Sequence, residues 1–102
     1  MLFRSDLLAE HASALALLGS ARSARRLAGE ATVSNPTPLT LALAWASLGD
    51  ADRAFECLER ESFRLYWAPH AVWWDPRFDD IRDDRRFVRV AKRVEGAWRP
   101  EW

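Results

Sequence analysis

Apolar residues recur along the chain mostly at intervals of three and four, in segments separated by four glycines and five prolines. This spacing places apolar side chains on one side of a helix, whereas a half-buried strand would show alternation. It predicts helices over residues 6–18, 21–33 and 51–65, with Gly19 and Gly49 at helix ends and Ser20 and Asp50 as N-caps. The pattern therefore indicates an all-α fold.

One segment, residues 39–48, fits two structures. Its large apolar residues alternate as they would in a strand: Leu39, Leu41, Leu43 and Trp45. The alanines between them are strong helix formers, and Thr37 and Pro38 suit the N-cap and first position of a helix. Because its neighbours are helices, we expect a buried helix here, with Trp45 in the core.

The last third of the chain is rich in tryptophan. Pro69 and Pro76 bracket a short joint, residues 76–82 can form one or two helical turns, and Asp84 opens a final helix. The residues of that helix expected to point inward are Phe87, Val90, Ala91, Val94 and Trp98. Two roles remain open for the other tryptophans. They seal the end of the helical stack, which we favour, or they anchor a partner. These tryptophans are Trp67, Trp73, Trp74, Trp98 and Trp102.

Superimposing Gly19 on Gly49 reveals an internal repeat of helix, glycine turn and helix. Ala24 and Ala28 of the first copy lie at the same offsets from the glycine as Ala54 and Leu58 of the second. The first copy continues with Ala31 and Pro36, and the second has Ala42 and Trp45 before its glycine. This pattern resembles the tetratricopeptide repeat. Glu61 and Tyr66 depart from it, because they replace a small residue and the closing proline, and the copies lie 30 residues apart rather than the family's roughly 34.

The C-terminal part strengthens this resemblance. Residues 44–56, followed by Asp75-Pro76-Arg77-Phe78-Asp79 and Asp84-Arg85-Arg86-Phe87, look like the terminal segment of many bacterial tetratricopeptide-type proteins. The resemblance implies antiparallel helical hairpins stacked as a short α-solenoid with a C-terminal capping helix. We expect one domain over 1–102, with the first repeat at about 5–34, the second at 37–66, and the Trp-rich joint and capping helix at 67–102.

In function, the resemblance implies a non-enzymatic scaffold that binds a protein or peptide in a groove formed by the first helix of each pair. The groove positions of the family fall on Ala9, Ser13, Ala16, Leu17, Leu39, Leu43, Ala46 and Ser47. Because this set is small and apolar, we expect apolar association with a partner or with a second copy as a homodimer. The Lys and Asn clamp that some family members use for a C-terminal carboxylate is absent, since Ala9, Ser13 and Thr40 stand at its positions.

Charge and composition favour a cytoplasmic protein. Lys plus Arg and Asp plus Glu number 15 each, so no net field draws the whole chain toward nucleic acid or anionic lipid. The longest apolar stretch, residues 39–48, is about half a membrane span. Asp6 and Glu10 lie where a signal peptide would be basic and then apolar, and one cysteine cannot form an internal disulfide.

No catalytic or cofactor-binding constellation is found in the sequence. His11, His70 and Cys57 are far apart along the chain, and no zinc, phosphate-loop or serine-hydrolase motif occurs. We therefore expect no enzyme activity and no cofactor. The aspartates of the last third are interleaved with arginines, which favours ion pairing and N-capping over a calcium site: Asp75, Asp79, Asp80, Asp83 and Asp84.

The final helix offers an alternative function. Five basic residues fall on the face opposite its apolar stripe: Arg85, Arg86, Arg89, Lys92 and Arg93. Such a face can neutralise phosphates, as in a small regulatory nucleic-acid-binding protein. A solvated face neutralised by the acids upstream explains the same residues more simply, so nucleic acid is the disfavoured partner.

Overall fold

The computed structural model describes residues 4–34, 37–62 and 68–97. These residues form seven helical segments and contain no strand, which confirms the all-α prediction and the helix at 39–48. In chain order the segments are α1 (Arg4–Leu17), α2 (Ala21–Val33), α3 (Pro38–Ser47), α4 (Ala51–Arg60), α5 (Ala68–Trp74), a 3₁₀ helix (Pro76–Ile81) and α6 (Arg85–Ala97).

The two helical hairpins, α1–α2 and α3–α4, share one turn geometry. Gly19 and Gly49 have φ of +88° and +77°, a left-handed conformation that glycine adopts without steric cost. In each turn the residue after the glycine donates its N–H to the carbonyl five residues earlier, Ser20 to Leu15 at 2.8 Å and Asp50 to Trp45 at 3.0 Å. The internal repeat seen in the sequence therefore extends to these turns.

Helix α3 lies at the centre of the molecule. It packs against α1, α2, α4 and the 3₁₀ helix, and its residues from Leu39 to Ala46 are all buried. A helix covered on every side has no polar face, which explains why the periodicity of this segment was ambiguous. Trp45 is 4% exposed, which confirms its predicted place in the core.

Helix α4 ends at Arg60, so the prediction of a helix to about residue 65 is wrong. Glu61 adopts an extended conformation, and its buried carboxylate accepts hydrogen bonds from the Leu39 N–H at 2.9 Å and the Ser62 N–H at 3.0 Å. The Leu39 N–H belongs to the first turn of α3, where no carbonyl of the helix itself can accept it. The residue that departs from the repeat pattern thus caps the N-terminus of the central helix.

The segment predicted as a joint contains the short helix α5. Val72 of α5 is fully buried, together with Phe78 and Ile81 of the 3₁₀ helix, whereas Trp73 is 41% and Trp74 78% exposed. The favoured sealing role is therefore wrong for Trp74, whereas Trp73 is partly covered and Val72 is the side chain of α5 that turns inward. Trp67, Trp98 and Trp102 lie outside the described residues.

Helix α6 packs on α4 and runs parallel to it, since Arg86 pairs with Asp52 at the start of α4 and Arg93 with the Leu58 carbonyl near its end. Asp84 accepts the Arg86 N–H at 2.9 Å, as expected of the residue that opens this helix. The inward positions are confirmed for Phe87, Val90 and Val94, which are buried.

Candidate functional site

The structure buries most of the predicted groove. Ala16 and Ser47 are half-buried, and Leu17 is 70% exposed. The other five positions are in the interior: Ala9, Ser13, Leu39, Leu43 and Ala46. These five side chains pack within the chain, so the exposed part of the predicted groove is much smaller than the sequence indicated.

The chain's own C-terminal part lies over this region. The 3₁₀ helix packs against α3, with Phe78 fully buried. From the first turn of the same 3₁₀ helix, the Arg77 guanidinium reaches α1 and lies 3.3 Å from the Glu10 carboxylate. The segment around residues 75–81 thus contacts both of the helices that were expected to form an open groove.

An opening remains between α1 and the start of the 3₁₀ helix, and we call it the α1 cleft. It has a volume of about 380 Å³ and is lined by Glu10, Ser13, Ala14, Leu17, Asp75, Pro76 and Arg77. Two predicted groove residues, Ser13 and Leu17, line this cleft. The residues opposite them were not predicted, because the Asp75-Pro76-Arg77 motif gives no sign of which helix it will contact.

Arg77 holds together the charged wall of the α1 cleft. Its side chain donates to both carboxylate oxygens of Asp75, at 3.0 and 2.7 Å, and more weakly to Glu10 at 3.3 Å. Burial alone would raise the pKa of Asp75, but the hydrogen bonds and charge of Arg77, with the charge of Arg82, lower the pKa below its ordinary value. Two carboxylates and one guanidinium leave the wall with a net charge of −1.

This pairing predicts a loss of stability in acid. Because the pKa of Asp75 in the folded chain is below its ordinary 3.8, the carboxylate stabilises the fold above about pH 4 and loses this contribution as the pH falls. The Asp75→Asn variant should therefore show a smaller decrease in unfolding free energy between about pH 5 and pH 3 than the parent, measured by urea unfolding. Equal decreases in the two proteins would contradict this role of the pair.

Ser13 adds an unusual feature to the α1 cleft. Its side chain is 2% exposed, and its hydroxyl oxygen is buried without a hydrogen-bond partner. An unsatisfied buried hydroxyl lowers stability, and buried polar groups in folded proteins are nearly always paired. Because this oxygen is closed to solvent, Ser13 forms part of the cleft wall without offering its hydroxyl to a ligand.

The basic face of α6 is largely engaged within the chain. Arg86 pairs with Asp84 at 2.9 Å and Asp52 at 2.8 Å, and its guanidinium stacks on the Phe55 ring. Hydrogen bonding to Arg86 lowers the pKa of Asp84 to about 2. Arg89 lies 3.5 Å from Glu59. Ion pairing with α4 and with the acid before α6 thus accounts for two of the basic residues.

Arg93 is held more firmly than an exposed cation would be. Its guanidinium donates to the backbone carbonyls of Leu58, at 2.8 Å, and Glu61. These carbonyls belong to the C-terminal end of α4, where helix carbonyls lack partners within the helix. Of the five residues on the face, Arg85, Arg89 and Lys92 are exposed, and Arg89 is the one of these three that pairs with α4, through Glu59. The geometry thus favours helix docking over phosphate binding.

The described part of the chain brings no metal-site geometry together: nowhere in it do three His, Cys, Asp or Glu side chains cluster. Cys57 is buried, and desolvation raises the pKa of its thiol, so that the thiol is neutral at neutral pH. None of the described helices combines the length and apolar character needed to span a membrane.

Comparison of the chain with protein-family models, with curated proteins and with solved structures gave no match.

Proposed function

We propose that the chain is a non-enzymatic, tetratricopeptide-like scaffold that binds a protein or peptide segment in the α1 cleft. Leu17, which is 70% exposed, and the Glu10 carboxylate, which is 40% exposed, line this cleft together, and this is the observation that carries the proposal. The shared turns at Gly19 and Gly49 support the repeat architecture, as does the packing of α1 and α2 against α3.

The lining of the α1 cleft defines the chemistry of the segment. Ala14, Leu17 and Pro76 offer apolar contacts, and Leu17 is largely exposed. The net charge of −1 on the lining, from Glu10, Asp75 and Arg77, favours a basic group, which can approach Glu10 because that side chain is 40% exposed. The preferred ligand is a short segment that combines an apolar side chain with Lys or Arg, from another protein or from a second copy of the chain.

Selection from a random peptide library tests this proposal. Peptides enriched on the parent protein should pair an apolar residue with a basic one, and their affinity should be measured by fluorescence anisotropy. The Leu17→Asp variant should bind the selected peptides at least about tenfold more weakly, because it removes the exposed apolar contact. Leu17 is suitable for this test because a charge at the buried Leu43 would disrupt the core instead.

The matched control is Val33→Asp, since Val33 is equally apolar and even more exposed but lies at the end of α2, outside the α1 cleft. It should leave peptide affinity unchanged. Enrichment of acidic peptides, or equal binding by the parent and the Leu17→Asp variant, would refute binding in the α1 cleft. Sedimentation of the parent alone shows whether the bound segment comes from a second copy.

A further inference from the structure

A second opening lies on the other side of α3, between α2 and α4, and we call it the α2/α4 cleft. It has a volume of about 250 Å³. Its lining consists of Gly29 and Thr32 of α2, Leu41 and Trp45 of α3, and Arg53, Glu56, Cys57 and Arg60 of α4. The cleft shares no residue with the α1 cleft, and the proposed peptide binding does not use it.

Gly29 leaves room at the wall of the α2/α4 cleft. It lies in the interior of α2, where glycine destabilises a helix by about 1 kcal/mol relative to alanine. A Cβ atom at this position would meet no atom within 4 Å, so neither crowding nor a positive φ requires glycine here. The residue therefore weakens the helix, and its effect in the structure is to keep the cleft wide.

The opposite wall carries an excess of positive charge. The Arg53 guanidinium lies 4.7 Å from the centre of the Trp45 ring, and Arg60 donates to the Cys57 sulfur at 3.4 Å. Because the Cys57 thiol is neutral, it does not cancel the charge of Arg60. Two guanidinium groups and the Glu56 carboxylate give the lining a net charge of +1, and Arg53 also pairs at 3.8 Å with the Asp50 carboxylate, which lies outside the lining.

We propose that the α2/α4 cleft is a binding site for a small carboxylate ligand with a flat apolar body. The apolar body occupies the space beside Gly29, against the small parts of Leu41 and Trp45 that reach the cleft. The carboxylate is held by Arg60 and Arg53, whose planar groups match the geometry of a carboxylate. The volume of the cleft limits the ligand to about the size of a single aromatic ring with a short acidic arm.

Titration of the full chain with phenylacetate, followed by backbone amide chemical shifts, tests this assignment. We expect saturable shifts at Gly29 and Thr32 with a dissociation constant on the order of 1 mM, as for a ligand with few atoms. Phenylacetamide, which has the same body without the charge, and acetate, which lacks the body, should each bind several-fold more weakly. Absence of saturable shifts in the parent would overturn the proposal, as would equal binding of the amide.

Variants separate binding from folding. Gly29→Leu should fill the α2/α4 cleft and abolish the shifts while raising the urea midpoint, because leucine is a better helix former than glycine. Gly96→Leu is the matched control, since a Cβ at Gly96 in α6 also meets nothing within 4 Å, and it should bind phenylacetate like the parent.

Charge variants on α4 should move the affinity in opposite directions. Arg60→Gln should weaken phenylacetate binding by about threefold or more, whereas Glu56→Gln should strengthen it by a similar factor. A purely structural role of these exposed residues would not produce an increase in affinity. Unchanged binding in both variants, or in Gly29→Leu, would place the ligand elsewhere and refute the site.

Discussion

The Trp45→Ala variant is expected to lose about 3–5 kcal/mol of unfolding free energy, because removal of a large buried ring leaves a cavity that the core fills poorly. Trp45 is 4% exposed and lies in the helix on which α1, α2, α4 and the 3₁₀ helix all pack. The substitution also removes the ring under the Arg53 guanidinium. Since small domains have about 5–15 kcal/mol of stability in total, this loss approaches complete unfolding.

Urea unfolding followed by circular dichroism measures this loss, and Trp74→Ala is the matched control. Trp74 is 78% exposed, so its removal should change the unfolding free energy by less than about 0.5 kcal/mol. If the two variants were equally stable, Trp45 would not be the core residue that the structure shows.

Truncation after Arg64 is expected to have a still larger effect and to abolish cooperative folding. Within the described residues, the deleted part supplies six buried apolar side chains: Val72, Phe78, Ile81, Phe87, Val90 and Val94. Without them, the faces of α3 and α4 that contact the 3₁₀ helix and α6 would be exposed to water, which favours aggregation. Thermal unfolding and light scattering of the truncated chain test this expectation.

A full-length variant, Phe78→Asp, separates the loss of packing from the loss of chain length. Phe78 is fully buried, so a carboxylate at this position places an uncompensated charge in the core, and the variant should also lose its cooperative transition. A soluble truncated chain with a sharp thermal transition would show that residues 1–64 form a core by themselves.

Features set by neighbouring residues could be predicted from the sequence. The turns at Gly19 and Gly49, the start of α6 at Asp84 and the inward face of α6 all follow from residues within a few positions of one another. The prediction of helix α3 rests on a weaker reason. The apolar pattern of residues 39–48 fits a strand as well as a helix, and only the neighbouring helices favour the helix. Complete burial removes the polar face on which periodicity depends.

Features made by distant residues could not be predicted. Arg77 and Glu10 are 67 positions apart, and Glu61 and Leu39 are 22 apart. Neither contact can be recognised from the nearby sequence, because the two residues of each pair interact only after the helices have packed together. The α1 cleft depends on the first of these contacts, so the sequence supplied Ser13 and Leu17 but not the opposite wall.

Glu61 links three helices through two different groups. Its carboxylate caps the N-terminus of α3, and its backbone carbonyl accepts a hydrogen bond from the Arg93 guanidinium of α6. Glu61 itself directly follows the end of α4. Undocking of α6 would therefore release the backbone that positions the cap of the central helix. The C-terminal helix and the centre of the molecule are thus coupled through one residue, and the chain should open as a single cooperative unit rather than fray from its C-terminal end.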